Sequence, residues 1–152
     1  MIRKAMINDV KAMQALINQH ASIGQMLPRS LNELYEHVRD FHVFEEDGMI
    51  VGVCALHVSW EGLAEIRSLA VHQDRGRRGI GSALVKRCLE EAASLHVERV
   101  FALTYQNEFF RRLGFHDVDK KELPHKIWTD CLHCAKFPDC DESALIISIM
   151  PA

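Results

Sequence analysis

Between Ala64 and Leu84 the chain reads Ala-Glu-Ile-Arg-Ser-Leu-Ala-Val-His-Gln-Asp-Arg-Gly-Arg-Arg-Gly-Ile-Gly-Ser-Ala-Leu. Three arginines (Arg75, Arg77, Arg78) and three glycines (Gly76, Gly79, Gly81) are packed into its second half. Glycine lets a backbone come close to a ligand, and the first N–H groups of a helix have no partner inside it. If a helix starts at Gly79, those donors and the positive end of its dipole make a site for a pyrophosphate. The loop is not a P-loop, because no Gly-Lys-Ser/Thr follows. It is not a dinucleotide fingerprint either, because the βαβ context and the distal acidic residue are missing. A second group, Cys131, Cys134 and Cys140 with His133 and His125 nearby, lies in a segment, 124–142, that reads as an insertion. It is half of a zinc-ribbon signature. A tetrahedral zinc site, a redox pair and plain packing of Trp128 and Phe137 all remain open for it, with packing favoured over the metal.

The elements that would position these residues follow from periodicity. A short strand, Ile2 to Met6, leads to Asn8-Asp9 as a helix N-cap, and Val10, Met13, Leu16 and Ile17 recur at helical spacing towards Ile23. Ser30-Leu31-Asn32-Glu33 is a capping box opening a short helix through Val38. Phe41–Glu45 and Met49–Val58 are strands joined by the hairpin signal Asp47-Gly48, and Leu63–Val71 is a third. Ile80, Ala83, Leu84, Cys88, Leu89 and Ala92 make the stretch from Gly79 to His96 a helix lying on a sheet. A strand, Val97 to Thr104, and a helix, Asn107 to Leu113, follow, the latter ended by Gly114. Strands over Phe115–Glu122 and Ala144–Met150 close the pattern. The order β-α-α-β-β-β-α-β-α-β-β describes an α/β (α+β) domain, a mixed sheet with helices on both faces. No repeat or linker divides residues 1–152, so a single domain is expected.

Arg77-Arg78-Gly79-Ile80-Gly81 resembles motif A of the GCN5-related N-acetyltransferases (GNAT), and Asn107 to Gly114-Phe115 resembles their second signature. The resemblance covers nearly the whole chain and implies the GNAT fold with acetyl-CoA as co-substrate. It implies that Arg77, Arg78, Gly79, Ile80, Gly81 and Ser82 hold the pyrophosphate. It further implies that Leu69, Ala70 and Val71 on the preceding strand pair with the pantetheine arm and supply an oxyanion N–H, and that Asn107 and Phe110 complete the cofactor site. Two positions depart from the pattern. Gly76 stands where the motif carries Gln or Arg, and Phe110 stands where many relatives carry a proton-donating tyrosine. A thiol titrates near pH 8.5, so a thiolate leaves tolerably without that donor. Tyr105 and His57 are the other candidates for it. Glu65 occupies the strand position of a family glutamate base, and a carboxylate can relay an amine proton through water.

Met26-Leu27-Pro28-Arg29-Ser30, Leu34-Tyr35, Phe41-His42-Val43, Ala64 to Val71, Ala102-Leu103-Thr104-Tyr105 and Phe110 narrow the resemblance to the short, stand-alone bacterial N-acetylglutamate synthases. That resemblance implies transfer to the α-amine of glutamate, at the head of arginine biosynthesis. Guanidinium groups bind carboxylates bidentately, which makes Arg67 and Arg29 the candidates for the substrate. The alternatives are another small amine as acceptor, or a coenzyme A-binding regulatory module without catalysis.

Composition sets the outer bounds. A formal net charge of −3 gives no support for nucleic-acid binding. No apolar run approaches the roughly 20 residues of a membrane helix, and the first residues do not read as a signal peptide, so a cytoplasmic protein is expected. Five cysteines in such a chain argue against a disulfide framework, and Cys54 and Cys88 fall in apolar patterns as small core residues. A homodimer is expected from family habit.

Overall fold

The computed structural model describes residues 1–24, 26, 28–75, 79–123 and 142–149. The chain packs as two compact units, Met1–Leu56 with Ile66–Glu91, and His57–Glu65 with Ala92–Ala152. Its strands lie in the order β1-β2-β3-β4-β5-β7-β6. The step from β4 to β5 runs through a helix, as a crossover connection requires, and the sheet is mixed as expected.

The first unit begins with β1 (Ile2–Lys4), which pairs antiparallel with β2 (Phe41–Glu46). β2 in turn pairs with β3 (Met49–Trp60). The two residues between β2 and β3, Asp47 and Gly48, both have positive φ, 53° and 76°. That is the backbone of a type I′ turn and explains why this dipeptide sits there. Period-two alternation then sorts side chains onto two faces. Phe41, Val43, Val53 and Ala55, joined by Ala70 of β4 (Leu63–Val71), pack against Val10, Met13, Leu16 and Ile17 of α1 (Val10–Ser22) and Leu34 of α2 (Leu31–Glu36). On the opposite face α3 (Ile80–Ser94) lies directly over Gly52, where a Cβ would stand 2.9 Å from both Ile80 Cγ2 and Leu84 Cδ1.

The second unit pairs β5 (Arg99–Thr104) with β7 (Ser143–Ser148), and β7 with β6 (His116–Val118), all antiparallel. Leu63, Phe101, Leu123, Ala144 and Ile146 form its core. α4 (Asn107–Arg112) ends at Gly114, whose φ of 100° confirms the left-handed stop.

Two local expectations need correction. Asp9 is not a side-chain cap of α1. It ends a 3-10 turn, Ile7–Asp9, and its carboxylate accepts from the Met6 N–H and from Arg3 Nη1 and Nη2 instead. The strand expected over Phe115–Glu122 stops at Val118. There the Asp119 carboxylate accepts from the Lys121 N–H at 2.9 Å and starts a 3-10 turn, a local bond that competes with the ladder. The capping box at Ser30 is as expected, with Ser30 Oγ accepting from the Glu33 N–H at 3.1 Å.

Candidate active site

β4 is the spine of the candidate site, since it carries Glu65, Arg67, Leu69, Ala70 and Val71 in one run. Its regular alternation breaks at Ser68, which holds φ at 54° although it is not glycine. A left-handed residue inside a strand turns the following amides away from the ladder, and such strain persists only where the surroundings hold it. Part of that hold comes from Arg29 in the first unit, whose Nη1 donates to Ser68 Oγ at 3.1 Å. Arg29 is itself clamped. Its N–H donates to Asn18 Oδ1 and its carbonyl accepts from Gln14 Nε2, each at 3.2 Å, so α1 fixes its backbone. Its Nε lies 3.1 Å from Glu33 Oε2, an ion-pair distance without hydrogen-bond alignment. The side chain is only 16% exposed. Further along β4, His20 Nε2–H donates to the Val71 carbonyl at 2.8 Å, which places the ring proton on Nε2.

Of the predicted phosphate loop, Gly79, Ile80, Gly81 and Ser82 are described, while Gly76, Arg77 and Arg78 lie outside the described residues. Gly79 has φ of 77°, and no atom of the described residues lies within 4 Å of where its Cβ would be. It is the residue before α3, and its carbonyl accepts the Ala83 N–H. Ile80 is buried and anchors the helix start, whereas Gly81 and Ser82 are half-buried. Among the described residues the turn is therefore open beside Gly79. The cysteine group Cys131, Cys134 and Cys140 also lies outside the described residues, as does His125.

In the second unit Glu65 is buried, with 8% exposure. Arg67, in the first unit, is half-buried. Asn107, the first residue of α4, donates through Nδ2 to Ser143 Oγ at 3.0 Å, while its Oδ1 is buried without a hydrogen-bond partner among the described residues. An orphaned buried carbonyl oxygen is costly, and it is explained if a ligand N–H meets it. Phe110 packs edge-on against Phe109 and Phe115, each with ring centroids 5.1 Å apart, and is 3% exposed. The position thus holds packing and no proton donor. Tyr105 is 37% exposed and His57 is half-buried.

Sequence reasoning missed Ser68, His20, Asn18, Gln14 and Ser143. None carries a spacing signal. Ser68 is detectable only by its backbone angle, and the other four by which carbonyl or amide they reach.

Residues 11–115 match the sequence profile of the acetyltransferase (GNAT) family. An uncharacterized N-acetyltransferase of Chlorobaculum tepidum is 39% identical over 145 residues, 95% of this chain and 94% of its own. An amino-acid acetyltransferase of Mycobacterium tuberculosis is 41% identical over 132 residues, 85% of this chain and 75% of its own. Among solved structures, N-acetylglutamate synthase from Neisseria gonorrhoeae, complexed with coenzyme A and N-acetyl-glutamate, superposes with a TM-score of 0.91 at 28% identity. That match covers 99% of this chain and 35% of the synthase. With the fold, the open glycine turn before α3 and these likenesses together, the chain belongs to the GNAT family and is an N-acetyltransferase that uses acetyl-CoA.

Proposed function

We propose that the chain acetylates the α-amine of a free amino acid, L-glutamate foremost, in the cytoplasm. The observation that carries this reading is Arg29, a guanidinium held at Ser68 by both its backbone and its side chain. A rigid, mostly buried fork is what bidentate recognition of a carboxylate needs, and holding it in advance lowers the ordering cost of binding. The Mycobacterium amino-acid acetyltransferase supports an amino acid as acceptor, and the Neisseria synthase complexed with N-acetyl-glutamate supports an acidic one.

The residues present fit the cofactor. The first turn of α3 behind Gly79 offers N–H donors to a pyrophosphate, and Asn107 Oδ1 offers an acceptor to an amide N–H. When bound, acetyl-CoA supplies the activated acetyl group as a thioester. Each remaining role belongs to the chain. Arg29 and Arg67 hold the two carboxylates of the acceptor. Glu65 takes the proton from the ammonium, directly or through water, so that the amine is neutral when it attacks. The amides of Leu69 to Val71, turned at Ser68, stabilise the oxygen that gains charge.

Coenzyme A release from acetyl-CoA, measured with free amino acids including glutamate and glutamine, tests this directly. A rate confined to glutamate supports the reading. A rate with amines lacking a side-chain carboxylate moves the acceptor to another small amine. No rate with any free amino acid removes the proposal.

A further inference from the structure

Opposite the α1 face of the first unit, five chemistry-bearing side chains line up that acyl transfer does not use. Register pairing sets Lys4 beside His42 across β1 and β2, and His42 beside Cys54 across β2 and β3. α3 lays Cys88 and Glu91 over that row. Lys4 Nζ is 2.9 Å from Glu91 Oε2, and Glu91 Oε2 is 4.0 Å from His42 Nε2. His42 Nδ1 is 3.6 Å from Cys88 Sγ, and Cys88 Sγ is 3.7 Å from Cys54 Sγ. Both sulfurs are fully buried, and His42 nearly so. Core packing alone would be served by alanine and valine. It does not call for a histidine, let alone one backed by a carboxylate and an ammonium, beside two touching thiols.

We propose that Cys54 and Cys88 are an internal dithiol couple that small hydroperoxides oxidise to a disulfide, stapling α3 to β3. The two sulfurs stand in van der Waals contact, about 1.7 Å from the bond length of a disulfide. The closeness comes from Gly52, two residues before Cys54 on the same face of β3, which lets α3 rest on the strand backbone. The sulfurs are also unequal. The contact from Cys54 and then the His42 ring hold the Cys88 thiol below its usual range against the pull of burial. The same contact and burial push Cys54 up. His42 Nδ1 stands 3.6 Å from Cys88 Sγ, within reach of its proton, which makes Cys88 the nucleophile and Cys54 the resolving thiol.

The steps balance. Cys88 passes its proton to His42 Nδ1, and the thiolate attacks one peroxide oxygen. An S–O bond forms as the O–O bond breaks, and the departing hydroxide takes the proton from His42 and leaves as water. Cys54 then attacks the sulfenic sulfur of Cys88. The S–S bond forms, the S–O bond breaks, and the second hydroxide leaves as water with the Cys54 proton. Two thiols and one hydrogen peroxide give one disulfide and two waters, the sulfurs losing two electrons and the peroxide gaining them.

The test is hydrogen peroxide treatment of the full chain, followed by thiol blocking, non-reducing digestion and mass spectrometry. The expected product joins the Cys54 and Cys88 peptides, weighs two mass units less than their sum and reverts with dithiothreitol. In Cys54→Ala the reaction stops at a sulfenic acid on Cys88 that dimedone captures. His42→Asn slows cross-linking on the order of tenfold, through loss of thiolate. If His42 served packing only, its replacement would loosen the core and speed oxidation instead. Three results overturn the proposal: over-oxidation of Cys88 without a cross-link, bonding of Cys88 to a cysteine other than Cys54, or inert thiols in the folded protein that react once it is unfolded.

Discussion

At the scale of single residues, the proposed acceptor site turns on the difference between a charge that is present and a charge that is held. Arg29 is held, since Asn18, Gln14, Ser68 and Glu33 each take one of its groups. Replacement by alanine removes charge-assisted bonds of about 1.5–3 kcal/mol, so the KM for glutamate is expected to rise roughly ten- to hundredfold with little change for acetyl-CoA. Lysine in its place restores the charge but not the fork, and steady-state kinetics should show only partial recovery. Glu65 makes a different prediction. Glu65→Gln keeps shape and polarity but cannot take a proton, so kcat should fall about 10²–10⁴-fold with both KM values near wild type. A fully active Glu65→Gln enzyme would end its assignment as the base.

At the scale of elements, the seat of α3 positions the first-turn donors proposed for the phosphate. Gly52 sets that seat, because any Cβ there meets Ile80 Cγ2 and Leu84 Cδ1 at 2.9 Å. Both neighbours are buried and have little room to give. Gly52→Ala is expected to destabilise the protein by about 1–3 kcal/mol, seen as a lower Tm, and to raise the KM for acetyl-CoA by shifting the first turn. Gly79 separates the two effects. Nothing among the described residues crowds its Cβ, so Gly79→Ala is expected to cost only the left-handed backbone, about 1–2 kcal/mol. Its additional effect on acetyl-CoA binding would report the ligand itself, and isothermal titration measures it. The hairpin turn, the capping box, the α3 stripe and Gly114 were all legible beforehand, because each is set by neighbours within a few residues. The early end of β6 and the side-chain role of Asp9 were not. In both places a short acidic side chain chose a nearby amide or a distant arginine over the expected use.

At the scale of the whole molecule, acid stability should depend on how β1 is tied to the start of α1. Arg3 holds the Asp9 carboxyl below its ordinary value of 3.8 through hydrogen bonds at 2.7 and 3.0 Å. A carboxylate whose pKa is lowered by folding stabilises the fold above its unfolded value and loses that contribution as pH falls through the folded one. Asp9→Asn is therefore expected to lower stability at pH 7 by about 1–3 kcal/mol. Thermal melts should show that gap closing as the pH is taken below 3.8. A gap independent of pH would mean that Asp9 acts through packing and not through charge.

The family, the element order, the glycine turn before α3 and the glutamate on β4 were determined by the sequence itself, because periodicity, turn chemistry and glycine placement are local and survive in a linear string. What the tertiary structure alone decided are relations across distance. It put a left-handed angle at Ser68, a clamp from α1 and α2 on Arg29, an oxygen on Asn107 orphaned among the described residues, and a histidine beside two touching thiols that lie 34 positions apart. Each depends on which strand lies beside which and on how near α3 comes to β3, and no spacing in the chain encodes a separation in space.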